Sequence, residues 1–179
     1  DLDRKETQRV LDELEFRSLK PEFCGEEEER EDISLKFFDT SDLAEAEEWI
    51  ARAAKQQEIG LQLICENQEM NGVGICLPDQ TAIFIPAEYF ITQDMIAGWI
   101  RQLASQVAAI YVVDLKPMLH WLYEKGSLPY LDTGVAAYLL NPLEAAYPYE
   151  YQAKTFLDLE LPSRADLFGK ASVSEMAAM

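Results

Sequence analysis

Histidine and cysteine are scarce in this sequence, and their scarcity excludes the common metal centres and the disulfide-stapled folds. The single histidine, His120, cannot build a zinc site, and the three cysteines, Cys24, Cys65 and Cys76, show no Cys-x-x-Cys spacing. An odd count, with two of the three inside apolar runs, reads as reduced and mostly buried thiols. That implies a reducing compartment, so a cytoplasmic location is expected. Basic residues are also thin: 15 Lys and Arg stand against 33 Asp and Glu, a formal net charge of −18. A chain this acidic repels phosphate backbones at long range and lacks the basic footprint of an autonomous nucleic-acid binder. Contact with DNA would need metal ions, a local patch or a more basic neighbour, and the plainer reading of the acidity is solubility. No apolar run approaches the roughly eighteen residues of a membrane span. The charged opening DLDRKETQRV is not a signal peptide. Without an initial Met, and ending on SVSEMAAM, the chain reads as a piece of something longer.

What is present suffices for one domain with a sizeable core: 179 residues, of which 49% are hydrophobic. Apolar residues at Val10, Leu11, Leu14 and Leu19 predict a helix over 4–19, stopped by Pro21. The block GEEEEREDIS that follows carries like charges and cannot collapse, so it reads as a solvated linker. Three segments result: an N-terminal helix within 1–24, an acidic linker over 25–32, and a domain over 33–179.

Within that domain Ile33 to Phe38 predicts a short strand. Asp39, Thr40 and Ser41 offer caps for a helix with Leu43, Ala46, Trp49 and Ile50 at helical spacing. Gly60 introduces LQLICE, apolar enough for an interior strand. Asn71-Gly72 suggests a tight hairpin turn, Pro78-Asp79 a second turn, and TAIFI a strand ending at Pro86. Thr92 or Gln93 then caps a helix bearing Met95, Ile96, Trp99, Ile100 and Leu103. AAIYVVD is a buried strand that runs through Asp114 into a helix with Pro117 in its first turn. A short strand at 129–131, a helix capped by Asp132-Thr133 and a helix over 149–157 follow; ELPSRADLFGKASVSEM reads as mostly loop, with a helical start at Ser172 or Ser174. A three-strand meander followed by alternating helices and strands predicts an α/β fold, a mixed sheet with helices on both faces.

The stretch KPMLHWLYEKGSLPYLDTGVAAYLLNPLEAAYPYEYQAKTFLDLELPSR resembles the middle of the 3′–5′ exonuclease domain of bacterial DNA polymerase I, in polymerase family A. QRVLDELEFRSL is similar to the segment that closes the 5′-nuclease region of those enzymes, and VGICLPDQTAIFIP to their second and third strands. The resemblance covers nearly the whole chain, and LDTGVAAYLLNP with LELPSR is specific to the family. It implies a ribonuclease-H-like fold, a role in DNA replication and repair, and a C-terminally truncated domain. As partners it implies the polymerase and 5′-nuclease domains of the same chain, with DNA reached only through the parent enzyme and no membrane contact. The parent would use Mg²⁺ for polymerisation; this piece is expected to hold no cofactor.

Active members of that family hold two divalent ions with an Asp-x-Glu on the first core strand, an Asn-x-x-aromatic-Asp entering a later helix, and a Tyr-x-x-x-Asp near the domain end. Two Mg²⁺ ions about 4 Å apart need several anionic oxygens around them. Matched to that pattern, Ile64 stands at the Asp position and Glu66 at the Glu position. Asp114 takes the Asn position, Pro117 the aromatic one and Met118 the Asp, while the third motif does not occur. Neither Ile nor Met binds Mg²⁺, so the resemblance implies a vestigial exonuclease pocket of Ile64, Glu66, Asp114 and Met118, with no catalytic residue and no metal ligand set. The expected function is a structural platform beside the polymerase domain.

Other residues have plainer readings. Asp114 and Asp132 read as helix caps, His120 as a packed histidine, and the tyrosines of YPYEY as packing residues. Arg164 and Lys170 are the candidates for a phosphate or interdomain contact. Two alternatives stay open. One is an active metal-dependent proofreading exonuclease that recruits Glu66, Glu69, Asp79 or Asp114; the other is an acidic interaction module working through Glu26 to Asp32.

Overall fold

The computed structural model describes residues 35–66, 69–122 and 129–168. The chain divides into two units, Asp1–Ser34 and Leu35–Met179, and every described residue belongs to the second. The expected helix over 4–19, the acidic linker, Cys24, Lys170 and the helical start at Ser172 or Ser174 lie outside the described residues.

Six strands form one mixed sheet: β1 (Lys36–Asp39), β2 (Glu58–Glu66), β3 (Glu69–Cys76), β4 (Thr81–Pro86), β5 (Ala109–Val112) and β6 (Tyr130–Asp132). Their spatial order is β1-β4-β3-β2-β5-β6. The meander β2–β3–β4 is antiparallel, while β1 runs parallel to β4, β5 to β2 and β6 to β5. Helices α1 (Leu43–Ala53) and α2 (Gln93–Ala104) are the two long ones described. After β5 come a 3₁₀ turn (Lys116–Met118) and a short α3 (Leu119–Leu122). Beyond β6 lie α4 (Thr133–Leu140), α5 (Tyr149–Gln152) with a wider π-type turn (Ala153–Leu157), and α6 (Arg164–Phe168).

Strand alternation sorts the side chains. Ile59, Leu61, Leu63, Val73, Ile75, Ile83, Ile85, Ile110 and Val112 are buried, and Ala46 and Ile50 of α1 join Ile96, Ala97, Ile100 and Leu103 of α2 in the same core. Each Val, Leu or Ile side chain of this set contributes about 1.5–3 kcal/mol when fully buried, so this layer holds the fold. The other face is of different make. Gly60, Gln62, Gly74, Cys76 and Ala82 floor an open apolar groove of about 460 Å³, with Phe37 and Phe84 on the β1 side and Tyr111 on the β5 side.

Three local expectations are corrected. Asn71-Gly72 is not the hairpin turn but lies inside β3, where Gly72 pairs with Ile64 of β2 on one side and Pro86 of β4 on the other. Gly72 serves close approach: a Cβ there would lie 2.6 Å from the Ile85 carbonyl oxygen and 2.8 Å from the Phe84 ring. The cap of α1 is Asp42, whose carboxylate accepts the Glu45 N–H at 2.9 Å, rather than Asp39, Thr40 or Ser41. And the stretch read as loop after Leu161 contains α6, started by Ser163 and Asp166 capping one another three residues apart. The caps Thr92 and Asp132 are as expected.

Candidate functional site

In open α/β sheets, ligands bind outside the carboxyl ends of strands where the strand order switches sides. Here that place is the fork between β2 and β5. The two strands pair only over Glu58↔Ala109, Ile59↔Ile110 and Gly60↔Tyr111. Beyond that rung β2 continues alone on this side through Leu63, Ile64 and Glu66, and β5 leads through Asp114 into the 3₁₀ turn.

Met118, the last residue of that turn, fills the fork. It is 1% exposed. Its Sδ accepts the buried Leu63 N–H at 3.3 Å and lies 3.9 Å from Gln62 Nε2, which also donates to the Leu63 carbonyl at 3.2 Å. The turn is aimed there by Asp132. One oxygen of Asp132 caps α4 by accepting the Val135 N–H at 3.1 Å, and the other accepts the Leu115 N–H at 2.8 Å. Thr133 Oγ1 donates to the Val112 carbonyl at 3.1 Å, and the Gly134 N–H bonds the Val113 carbonyl at 3.1 Å, tying the exit of β5 to the start of α4. Gly134 has no room for a Cβ, which would lie 2.6 Å from that carbonyl oxygen.

The sequence-named residues are thus distributed unequally. Met118 is brought against β2 at Gln62 and Leu63, and Ile64 is the next residue of that strand. Glu66 ends β2, half-buried and opposite Glu69. Asp114 is exposed and turns to its own chain, its Oδ1 accepting the Lys116 N–H at 3.2 Å. Asp79 sits at the other end of the meander, in the β3–β4 turn, since Cys76 pairs with Gly60 while Glu66 ends the strand. There it bonds Thr81 and pairs with Arg52, and those hydrogen bonds, from Thr81 first, hold its carboxyl below the usual range. Asp79, named above among the acids an active exonuclease would recruit, therefore stands away from the fork. Sequence reasoning missed Gln62 and the Leu63 N–H, and no local signal marks them, because both act through a partner more than fifty residues away.

Two divalent ions of the kind the fold family uses would need several hard oxygen donors at this fork. The thioether of Met118 and the alkyl chain of Ile64 supply none. Among the described residues no group of three or more His, Cys, Asp or Glu stands together in a way that could hold a metal ion. The residues present do not fit a two-metal site.

The remaining candidates have structural partners. His120 is exposed and its ring stands edge-on to Trp121 at 5.3 Å. Tyr147 packs edge-on against Tyr138 and Tyr151, and its hydroxyl donates to the Asn141 carbonyl; Tyr149 donates to the Pro162 carbonyl at 2.6 Å. Tyr147 and Tyr151 fasten the α4–α5 connection, and Tyr149 ties α5 to the segment before α6. Burial raises the Cys65 thiol, and burial with the Asp79 charge raises that of Cys76, so neither is an activated nucleophile. Arg164 opens α6.

No protein-family profile matches the chain, and no curated protein sequence matches it. Solved structures do. RNase D of Trypanosoma brucei matches with a TM-score of 0.59 at 14% identity, over 76% of this chain and 54% of that one. The EXO domain of Aedes aegypti Nibbler matches at 0.57 and 8% identity, over 79% of this chain and 80% of that one. The POL domain of Pol1 from M. smegmatis, in complex with DNA primer-template and dNTP, matches at 0.55 and 17% identity, over 71% and 23%. This chain spans about half the length of the RNase D structures, 54% of the first. These likenesses show the fold: a ribonuclease-H-like mixed six-stranded sheet with helices.

Proposed function

We propose that this chain is the exonuclease-like module of a family A DNA polymerase I, with an eroded proofreading site, serving as a structural platform in DNA replication and repair. The observation that carries this reading is Met118: the residue matching a metal-binding carboxylate is 1% exposed and bonded to the β2 backbone. A thioether in that place generates no metal-bound hydroxide and no stabilised leaving oxygen. The Pol1 likeness supports the polymerase context, and the acidity of the chain agrees with a module that leaves DNA contact to its neighbours. On this reading the partners are the polymerase and 5′-nuclease domains of the same chain, the cofactor of the parent enzyme is Mg²⁺, and the module itself holds none.

The active-exonuclease reading draws on the structural likenesses, which include an RNase D in complex with RNA U12 and one in complex with GMP. The donor set at the β2–β5 fork weighs against it. A degradation assay on 5′-labelled single-stranded DNA with Mg²⁺ or Mn²⁺ separates the two. The platform reading expects no shortening above a protein-free control; EDTA-sensitive shortening that co-purifies with the chain overturns it.

A further inference from the structure

We infer that Met118 completes the sheet at the β2–β5 fork, its sulfur standing in for the strand that β2 loses where it parts from β5. This deepens the platform reading and rests on it only for what the position once held. The geometry stands by itself. The β2–β5 ladder stops at Gly60↔Tyr111, yet β2 runs on to Glu66. Past the last rung the Leu63 N–H points to the β5 side and is buried, so it needs an acceptor that no strand provides. Met118 Sδ meets it at 3.3 Å, and the Gln62 amide closes over the same sulfur at 3.9 Å.

Sulfur is a weak acceptor, but a flexible thioether fits an irregular gap and leaves no void behind. The 3₁₀ turn is held to this task from outside by Asp132 on the Leu115 N–H, so the plug does not depend on the Met118 contact alone. The consequence is a β2 backbone held in place past its last rung with β5. Gln62 and Met118 become positioning residues for the β2 backbone, not remnants of a ligand shell.

The test is amide hydrogen exchange at Leu63 in the whole chain, compared with the Ile64 amide on the same strand. Met118→Leu keeps the apolar bulk and removes the acceptor; Met118→Gln offers an oxygen acceptor of similar length. The expected result is slow exchange in the parent, exchange about tenfold faster at Leu63 in Met118→Leu with Ile64 little changed, and protection recovered in Met118→Gln. Equal protection at Leu63 in the parent and in Met118→Leu overturns the inference, because packing alone would then account for Met118. The platform reading fails separately, on metal-dependent cleavage by the unaltered chain, whatever Leu63 does.

Discussion

Asp132 is the residue on which most of the site's shape depends. It reads in the sequence as the cap before Thr133, and it is that; its second bond, to Leu115, joins elements seventeen residues apart and has no local signature. Replacing it with Ala strands two backbone N–H groups, one at the start of α4 and one at the 3₁₀ turn. Asp132→Ala is expected to cost about 2–4 kcal/mol. Asp114→Ala, at an exposed residue whose carboxylate accepts only a local N–H, should cost no more than about 0.5 kcal/mol. Urea denaturation of both variants checks the contrast; equal losses would mean that Asp132 does no more than a local cap.

At the scale of elements, the readable features were those whose cause is local. The strands of the meander and the caps Thr92 and Asp132 are short-range physics and appear where expected. Gly72 misled because a glycine beside Asn has two explanations, a turn or a close approach. The second depends on the Phe84 ring, a strand away. Helix α6 was legible in principle through Ser163 and Asp166, but five residues with little apolar periodicity do not announce a helix. That cap carries a pH dependence. Hydrogen bonds from the Ser163 hydroxyl, and then from its N–H, hold the Asp166 carboxyl below the usual range. Its folded pKa is therefore below its unfolded one, so its support of α6 is present above the ordinary carboxylate pKa, near 4. That support is lost as pH falls through the lowered value. A carboxyl NMR titration should find Asp166 titrating below an ordinary Asp and returning toward it in Ser163→Ala; the same midpoint in both would sink the cap.

For the molecule as a whole, the fold was legible because a three-strand meander followed by parallel additions leaves few sheet topologies, and the observed order β1-β4-β3-β2-β5-β6 is one of them. The candidate site was legible only by position. The sequence names Ile64, which lies within β2, and Met118, which ends the 3₁₀ turn after β5, but the sulfur contact that fills the fork requires β5 to part from β2, a tertiary event. The same fork separates the platform account from the exonuclease one, and calorimetric titration of Mn²⁺ into the chain tests it most directly. With a net charge of −18, weak and salt-screened association with surface carboxylates is expected anyway. The platform account predicts only that: heat that disappears at high ionic strength and is unchanged in Glu66→Gln. Two tight, salt-resistant ions per chain, lost in Glu66→Gln, would contradict it and return the fork to an active metal site.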